Sequence, residues 1–294
     1  MNIRGNQWWA RLGAELNFAA TNWLPRRSAS RLMGWFSRID HPLVRDLSIA
    51  AWRTLSDLDL GEARKARFES LHDCFIRELQ PGTRPIDPDP RALVSPCDAV
   101  VGACGALDGV TAIQAKGQRY PLPELLSDTE LAEYYRDGCF ATLRLKASMY
   151  HRFHAPHDCT IEQVRYLPGD AWNVNPPAVA RVGRLYCRNE RAVVRARLAA
   201  NADLVTLVPV GAILVRSIRL RCVEDAPAPG HADPYGFVCA ADYCKGDEIG
   251  WFEHGSTLIV LVPAGYQLCP GIETGVTVRM GQRIMTGSGT DAPR

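Results

Sequence analysis

In the stretch EHGSTLIVLVP, Glu253 to Pro263, a glycine and a serine stand directly before a run of β-branched and aliphatic residues. A short apolar run of this kind, closed by a proline, predicts a buried β-strand over 257–262. Gly255 and Ser256 could be the corner of a turn, or the place where the chain cuts itself. The pattern predicts the strand and leaves both interpretations of the pair open.

Strands of the same kind recur over most of the chain. From Ala92 onward, short aliphatic runs alternate with Gly, Pro, Asp and Asn, which is typical of strands separated by turns. The runs are ALVSP, VVGACG, FATLRL, DLVTLVPVGAILVRSIRL and STLIVLVP. One helical insert, over 123–136, interrupts them. This part of the chain is therefore predicted to be a β-rich body.

The first 39 residues have a different character. Six arginines oppose a single acid, Glu15, so the segment carries a net charge of +5, and it holds four of the seven tryptophans. Its apolar residues fall at helical spacing. They are Trp9, Leu12, Leu16, Ala19 and Trp23, then Leu32, Met33, Phe36 and Ile39. Such a basic, Trp-rich amphipathic pair of helices could lie in a bilayer interface, or pack on the protein's own core.

Helical character is predicted to continue over 43–80, until the connector PGTRPIDPDP, Pro81 to Pro90, ends it with four prolines and a glycine. The fold class that follows is α+β. We predict an N-terminal helical region over 1–80 and a β-rich catalytic domain over 81–294.

The composition of the 294 residues excludes some classes of protein. A net charge of +2 does not favour a nucleic-acid binder, and no apolar stretch is long enough for a transmembrane helix. The N-terminus lacks the features of a signal peptide. The ten cysteines include no CxxC pair, which favours reduced thiols on the cytosolic side of a membrane.

Three local clusters could carry chemistry: Asp98 in SPCDAVVG, the histidines of YHRFHAPHD, and the Gly255-Ser256 pair. An Asp, a His and a Ser can form an orienting group, a base and a nucleophile. A chain of this length offers many such combinations, and Asp98 could simply bond backbone N–H groups in its turn. If YHRFHAP is a strand, His151 and His154 point to opposite faces. No second ligand cluster supports a zinc site, so no metal is expected.

In this order, and with their flanking residues, these clusters resemble the phosphatidylserine decarboxylase family of bacterial, pyruvoyl-dependent type. The resemblance covers nearly the whole chain. The segments that carry it are FIRELQPGTRPID, SPCDAVVG, AIQAKGQRYPLPELL, YHRFHAP, VGAILVRSI and KGDEIGWFEHGST. Three positions depart from the family pattern. Cys97 and Ala99 flank Asp98, and His254 precedes Gly255, where it could tune cleavage with pH or be an exposed neighbour.

The resemblance implies that the chain cleaves itself between Gly255 and Ser256. The Ser256 hydroxyl would attack the preceding carbonyl to give an ester. Elimination and hydrolysis would then leave a covalent pyruvoyl group at residue 256 and release ammonia. His154 would accept the hydroxyl proton and Asp98 would orient the imidazole. The products would be a β chain, 1–255, and an α chain, 256–294.

The resemblance also implies the reaction that follows. The pyruvoyl group would form a Schiff base with phosphatidylserine and accept electrons as CO2 leaves. His151 would then protonate the carbanion, and phosphatidylethanolamine would be released. Candidate contacts to the lipid phosphate are Arg77, Lys116 and Arg191.

A lipid substrate implies a peripheral enzyme on the cytoplasmic face of the cell membrane, with residues 1–39 as its interfacial anchor and a homodimer as its assembly. Besides decarboxylation of a related serine phospholipid within the same family, two rival hypotheses stay open on the residues alone. One is a serine hydrolase that uses the same Asp98, His154 and Ser256, although no GxSxG elbow surrounds the serine. The other is a non-catalytic module that binds membrane surfaces.

Overall fold

The computed structural model describes residues 26–115, 117–213, 217–228, 230–253 and 256–287. The predictions made for Trp9–Trp23, Lys116, His254 and Gly255 lie outside these residues. The described part of the chain is a mixed α+β structure dominated by strands, so the predicted fold class is confirmed. None of the described helices is both long enough and apolar enough to span a membrane.

Seven helices occur among the described residues. They are α1 (Arg26–Phe36), α2 (Pro42–Leu55), α3 (Leu71–Phe75), α4 (Leu122–Leu126), α5 (Thr129–Tyr134), α6 (Pro176–Arg181) and α7 (Leu185–Arg188). Helices α4 and α5 account for the predicted insert, which divides where Ser127 adopts a left-handed conformation with φ 52°. Proline at the first position of α2 suits a helix start, because its missing N–H would have no partner there.

The prediction of continuous helical character over 43–80 is wrong for residues 56–70 and again for 76–80, after α3 ends at Phe75. Helix α2 ends at Leu55, and the side chain of Asp59 then accepts a hydrogen bond from the N–H of Gly61 in a local turn. Short Asp side chains compete with a helix in this way because they bond nearby backbone N–H groups. The predicted connector over 81–90 is confirmed, since it contains neither helix nor strand.

The body is built on an antiparallel sheet of eight strands in the order β11-β7-β8-β9-β13-β5-β2-β15. Its strands are β2 (Ala99–Ala106), β5 (Cys139–Arg144), β7 (Cys159–Leu167), β8 (Arg191–Leu198), β9 (Leu204–Val210), β11 (Tyr235–Tyr243), β13 (Thr257–Val262) and β15 (Thr277–Val278). The predicted strand over 257–262 is thus β13, which pairs with β5 on one side and β9 on the other.

Three smaller sheets surround the large one, in the orders β1-β16-β14, β10-β12-β6 and β3-β4. Their strands are β1 (Ala92–Val94), β3 (Thr111–Ala115), β4 (Gln118–Pro121), β6 (Arg152–His154), β10 (Ile218–Leu220), β12 (Glu248–Phe252), β14 (Tyr266–Leu268) and β16 (Arg283–Gly287). The run DLVTLVPVGAILVRSIRL therefore supplies two strands, β9 and β10, to two different sheets.

Apolar clusters cover both faces of the eight-stranded sheet. Along β13, Leu258 and Val260 belong to one cluster, whereas Ile259 and Leu261 belong to the other. All six residues of the strand are buried. Burial of one such aliphatic side chain contributes about 1.5–3 kcal/mol, so β13 is held firmly from both sides. The residue that immediately precedes β13, Ser256, is therefore attached to one of the most rigid parts of the fold.

The helical region packs directly on the body. The rings of Trp52 in α2 and Phe75 in α3 are stacked with centroids 5.5 Å apart, and Phe75 also meets the ring of His151. Arg77 donates a hydrogen bond to the carbonyl of Ser148 at 2.8 Å. These contacts place α2 and α3 beside the histidine motif.

Candidate active site

Ser256 lies at the start of β13 and is fully buried. Its carbonyl accepts a hydrogen bond from the N–H of Leu145 at 2.9 Å, which fixes the backbone. Its hydroxyl oxygen has no hydrogen-bond partner among the described residues. A buried hydroxyl without a partner is costly, and a chemical role is one explanation for such a group. The environment of Ser256 fits a nucleophile whose target lies within the same chain.

His154 ends β6 and is also buried. Its Nδ1 lies 2.8 Å from the carbonyl oxygen of Gly246, and its Nε2 lies 2.9 Å from the hydroxyl of Tyr150. Because a carbonyl can only accept, Nδ1 carries the proton and Nε2 receives the bond from Tyr150. Burial lowers the pKa of His154, more than its bond to Gly246 and the nearby Glu248 raise it. His154 is therefore a neutral imidazole whose basic nitrogen is Nε2.

Asp98 directly precedes β2, and its carboxylate is held by Arg84. The guanidinium donates from Nε to Oδ1 at 2.9 Å and from Nη2 to Oδ2 at 2.6 Å, and the N–H of Met280 bonds Oδ1 at 2.9 Å. Arg84 also forms an ion pair with Glu62 at 2.8 Å. The side chains of Arg84 and Asp98 are almost completely buried, at 7% and 11% exposure. Such two-pronged pairs hold a carboxylate in a defined orientation.

The structure brings Asp98 and His154 close together, but not into the direct contact expected of a triad. The Asp98 carboxylate bonds Arg84 and Met280, and the carbonyl of Gly246 fixes the tautomer of His154 instead. Asp98 still favours protonation of His154 through space, although this is the weakest of the influences that act on the pKa. The two residues are also linked through the chain, because the N–H of His154 bonds the carbonyl of Pro96 at 2.8 Å.

His151 points away from His154, as the alternation of a strand predicts. Its Nδ1 lies 2.8 Å from the carbonyl oxygen of Met149, so this nitrogen carries a proton and any change of charge occurs at Nε2. The imidazole is fully buried, and its centroid lies 4.0 Å from that of Phe75. His157, the third histidine of the motif, bonds the carbonyl of Pro90 at 2.8 Å and has a structural position.

An apolar cavity of about 520 Å³ lies between the helical region and the end of β5. Its walls include Met33, Trp52, Leu71 and Phe75 from the helices, and Arg144, Leu145 and Lys146 from the body. Leu145 is the residue bonded to Ser256, and Phe75 is the residue that meets His151. The cavity therefore adjoins both the serine and the first histidine, and it could hold the apolar part of a ligand.

The three candidate phosphate contacts have different positions. The Arg191 guanidinium bonds four backbone carbonyls, those of Glu124, Leu125, Cys187 and Asn189, so its hydrogen-bonding capacity is used by the fold. Arg77 lines a second, polar cavity together with Asp98 and Tyr150. Lys116 lies outside the described residues.

Neither a metal site nor a disulfide is evident in the part of the chain that the structure describes. No three His, Cys, Asp or Glu side chains there are grouped as metal ligands. All ten cysteines are free thiols. Cys97 and Ala99, the two departures beside Asp98, are both buried, and Ala99 has no left-handed backbone conformation.

Sequence reasoning missed four groups that shape the site: Arg84, Tyr150, Phe75 and the carbonyl of Gly246. All four stand inside segments that carry the family resemblance: Arg84 and Phe75 in FIRELQPGTRPID, Tyr150 at the start of YHRFHAP, and Gly246 in KGDEIGWFEHGST. No sequence signal identifies the Gly246 carbonyl, because every residue has a backbone oxygen and only the folded conformation decides which one lies beside His154.

Comparisons with known proteins agree on one family. A family model described as phosphatidylserine decarboxylase matches residues 71–286. The chain is 39% identical over 272 residues to a phosphatidylserine decarboxylase proenzyme of Halorhodospira halophila, covering 90% of this chain and 91% of the relative. It is 32% identical to the proenzyme of Haemophilus influenzae, covering 95% and 98%, and 34% identical to that of Myxococcus xanthus, covering 89% and 94%.

Proposed function

The chain belongs to the phosphatidylserine decarboxylase family, and from that premise we propose that it converts phosphatidylserine to phosphatidylethanolamine and CO2 after cutting itself between Gly255 and Ser256. The name proenzyme, which its relatives carry, indicates a precursor that is processed. The observation that supports the cleavage site best is the buried Ser256 hydroxyl, which has no hydrogen-bond partner in the part of the chain that the structure describes.

In the proposed cleavage, Ser256 Oγ forms a bond to the carbonyl carbon of Gly255 as the amide C–N bond breaks. The hydroxyl proton passes to Nε2 of His154, the proposed base, which then gives it to the nitrogen of residue 256 as the amide bond breaks. The Gly246 carbonyl holds the required tautomer, as the aspartate does in a serine protease triad. Tyr150, now bonded to Nε2, would have to give up that bond as the serine proton arrives.

Asp98 then has a different task from the one the family resemblance implies. Its carboxylate is fixed by Arg84 beside His154, where its negative charge favours the imidazolium that proton transfer creates. The benefit arises only when the charge develops, which is the condition for lowering a barrier. We therefore propose that Asp98 acts on His154 through space, with Arg84 as its positioning residue.

A pyruvoyl group left at residue 256 fits this site, because β13 anchors the new N-terminus and the cavity gives a lipid access to it. When formed, it supplies a carbonyl that accepts the electron pair released as CO2 departs. His151 is the proposed donor of the proton that replaces the carboxylate. The Met149 carbonyl fixes its Nδ1–H, so Nε2 is the nitrogen that would lose and regain that proton.

The helical region supports a membrane-surface role. Leu32 and Trp35 of α1 and Leu43, Leu47 and Leu55 of α2 are large apolar side chains with 65–86% exposure. We propose that this face enters the headgroup boundary of the cytoplasmic leaflet, so that the anchor extends beyond residue 39 into α2. The apolar cavity opens between the same helices and the body, where it could receive an acyl chain. The division at residues 80 and 81 and the homodimer stay predictions.

Vesicle binding tests the membrane proposal. Replacement of both Leu43 and Leu47 with Asn should weaken binding of the full chain to anionic vesicles by about a hundredfold or more, because each lost leucine removes about 1.5–3 kcal/mol of apolar burial. Val238 is 91% exposed on β11 and serves as the matched control, since Val238→Asn changes an exposed apolar group on an edge strand outside the helical region. Equal binding by all three proteins would contradict the proposal.

Intact mass under denaturing conditions tests the function. An active preparation should consist of two chains that meet at 255/256, with a blocked, ketone-reactive N-terminus on the smaller one. Ser256→Ala should remain whole at 32.5 kDa and release no CO2 from phosphatidylserine. One unbroken chain in an active preparation would refute self-cleavage and favour a serine hydrolase.

A further inference from the structure

Arg144 has no anionic partner among the residues that the structure describes. It ends β5 and stands opposite Thr257 in the strand register, so it is a direct neighbour of the strand that Ser256 precedes. The side chain is half-buried in the wall of the apolar cavity. Among the described residues, no hydrogen bond or ion pair to its guanidinium occurs. Burial lowers the pKa of Arg144, and the nearby Tyr186 raises it by a smaller amount.

Three other arginines that enter the interior of this protein have partners for their charge or their donors, whereas Arg77 bonds only two backbone carbonyls and its Nε has no partner among the described residues. Arg84 has the carboxylates of Asp98 and Glu62, and Arg152 has that of Glu248. Arg191 has four backbone carbonyls. An arginine stays charged in proteins, and partial burial of a charge without a partner is unfavourable. The half-buried position of the Arg144 guanidinium therefore favours the binding of an anionic ligand beside it.

The surroundings of Arg144 restrict what that ligand can be. Met33, Trp52, Leu71 and Phe75 give the cavity its apolar wall, so the ligand combines a large apolar part with a negative group. Lys146 adds a second, exposed cation at the same cavity, and no described residue forms an ion pair with it. Leu145 stands between the two cations and bonds Ser256, so the anion would lie close to residue 256.

We propose that Arg144 binds the phosphodiester group of the lipid substrate. This assignment rests on the proposed function and deepens it, because it places the headgroup relative to residue 256. In a phosphatidylserine the phosphorus is four bonds from the amine nitrogen that must reach residue 256. Paired residues of adjacent antiparallel strands have Cα atoms about 4.5–5.5 Å apart, so the Arg144 guanidinium is within reach of such a phosphate.

The carboxylate of the substrate is the alternative anion, and catalysis argues against it. A cation on the carboxylate would stabilise the substrate more than the transition state, in which that negative charge moves away as CO2 forms. The phosphodiester keeps its charge through the whole reaction, so a cation bound to it anchors substrate, transition state and product alike. Arginine is also suited to the planar, two-pronged recognition of phosphate oxygens.

A ligand with neither amine nor carboxylate isolates this contact. Dihexanoyl-phosphatidylmethanol retains the phosphodiester and two short acyl chains, and it can be used as a monomer without a membrane. We expect Arg144→Gln to weaken its binding to the processed enzyme, measured by calorimetry, by about 10- to 100-fold. Arg144→Lys keeps the charge but loses the two-pronged geometry, so its loss should be smaller. Arg136→Gln, which removes a surface pair with Glu133, should bind as the wild type does.

Kinetics with dihexanoyl-phosphatidylserine give the second readout. A contact that stabilises substrate and transition state equally contributes to KM alone, so its loss raises KM and leaves kcat unchanged. If Arg144→Gln is not processed, Arg144→Lys carries the comparison.

Unchanged binding of the phosphatidylmethanol by both variants would overturn the proposal, and a defect confined to ligands with a carboxylate would assign Arg144 to that group. Reduced binding to anionic vesicles with normal monomer binding would mark Arg144 as a membrane contact instead. A wild-type enzyme that binds the probe but releases no CO2 would refute the proposed function and leave the phosphodiester site standing.

Discussion

His151 and His154 are only three residues apart, yet their surroundings differ in almost every respect. His154 lies on the polar side, where Tyr150 and the Gly246 carbonyl hold its two nitrogen atoms and the Arg84–Asp98 pair is nearby. His151 lies on the apolar side, against the ring of Phe75 and close to the cavity between helices and body. The strand alternation that separates the two rings also separates two kinds of chemistry. One motif can thus serve self-cleavage on one face and turnover on the other.

The largest effect should come from the polar side. His154→Ala removes the proposed base, and general base catalysis contributes about 10²–10⁴ to a rate. Cleavage at 255/256, followed by intact mass, should slow by that factor, and all decarboxylation should be lost with it. His157→Gln is the matched control, because His157 is a buried histidine of the same motif that bonds only backbone oxygens. Normal cleavage of His154→Ala would remove this histidine from the mechanism.

On the apolar side, His151→Ala should impair decarboxylation and leave self-cleavage intact. The variant should cleave itself at the wild-type rate, because His154, Gly246 and Tyr150 are untouched. Its kcat for phosphatidylserine should fall by about 10²–10⁴, the usual contribution of a proton donor. CO2 release by the purified, fully processed variant measures this. Equal loss of cleavage and turnover would show that the two histidines do not serve separate reactions.

Phe75→Leu sharpens the comparison with a smaller change. The ring of Phe75 contacts the His151 imidazole and stacks on Trp52, and an aromatic pair contributes about 0.5–1.5 kcal/mol beyond its burial. We expect kcat to fall by up to about tenfold while self-cleavage stays normal. A shift in the pH profile of kcat would show that Phe75 positions His151. Phe68 is equally buried in the helical region but is not in ring contact with His151, so Phe68→Leu should leave that profile unchanged.

Much of the fold could be predicted because its strands have strong local patterns. The run before Pro263 became β13, and Gly, Pro and Asp separated the other strands where the sequence indicated. The failures had two different causes. The helix predicted over 56–70 is missing for a local reason, because the Asp59 side chain bonds the N–H of Gly61 in a turn. The division of 203–220 between two sheets depends on partners in β12 and β13 that lie far along the chain.

The site was predictable to a similar depth. The motifs located Asp98, His151, His154 and Ser256, but not which side chains would contact one another. Arg84 stood in a proline-rich connector whose pattern indicated only a linker, and its partner Asp98 is 14 residues away. Arg144 is a charged residue in a predicted buried strand, and a charge at such a position indicates a candidate functional residue. Hydrogen-bond partners are set by tertiary geometry, which the spacing of residues along the chain does not reveal.

The smallest predicted effect concerns pH, and it tests the polar side without a mutation. Burial lowers the pKa of His154, so its neutral, basic form should persist below the ordinary value of 6.5. A base with a pKa of 6.5 would lose about three quarters of its neutral form at pH 6, whereas one with a lowered pKa loses much less. We therefore expect the rate of self-cleavage to fall by less between pH 7.5 and pH 6 than the roughly fourfold that an ordinary pKa would give, with the larger part of the fall at lower pH. His254→Leu should give the same profile, which excludes the titratable neighbour of the scissile bond as the source. A fourfold fall by pH 6 would mean that the base has an ordinary pKa, and that the buried His154 does not limit cleavage.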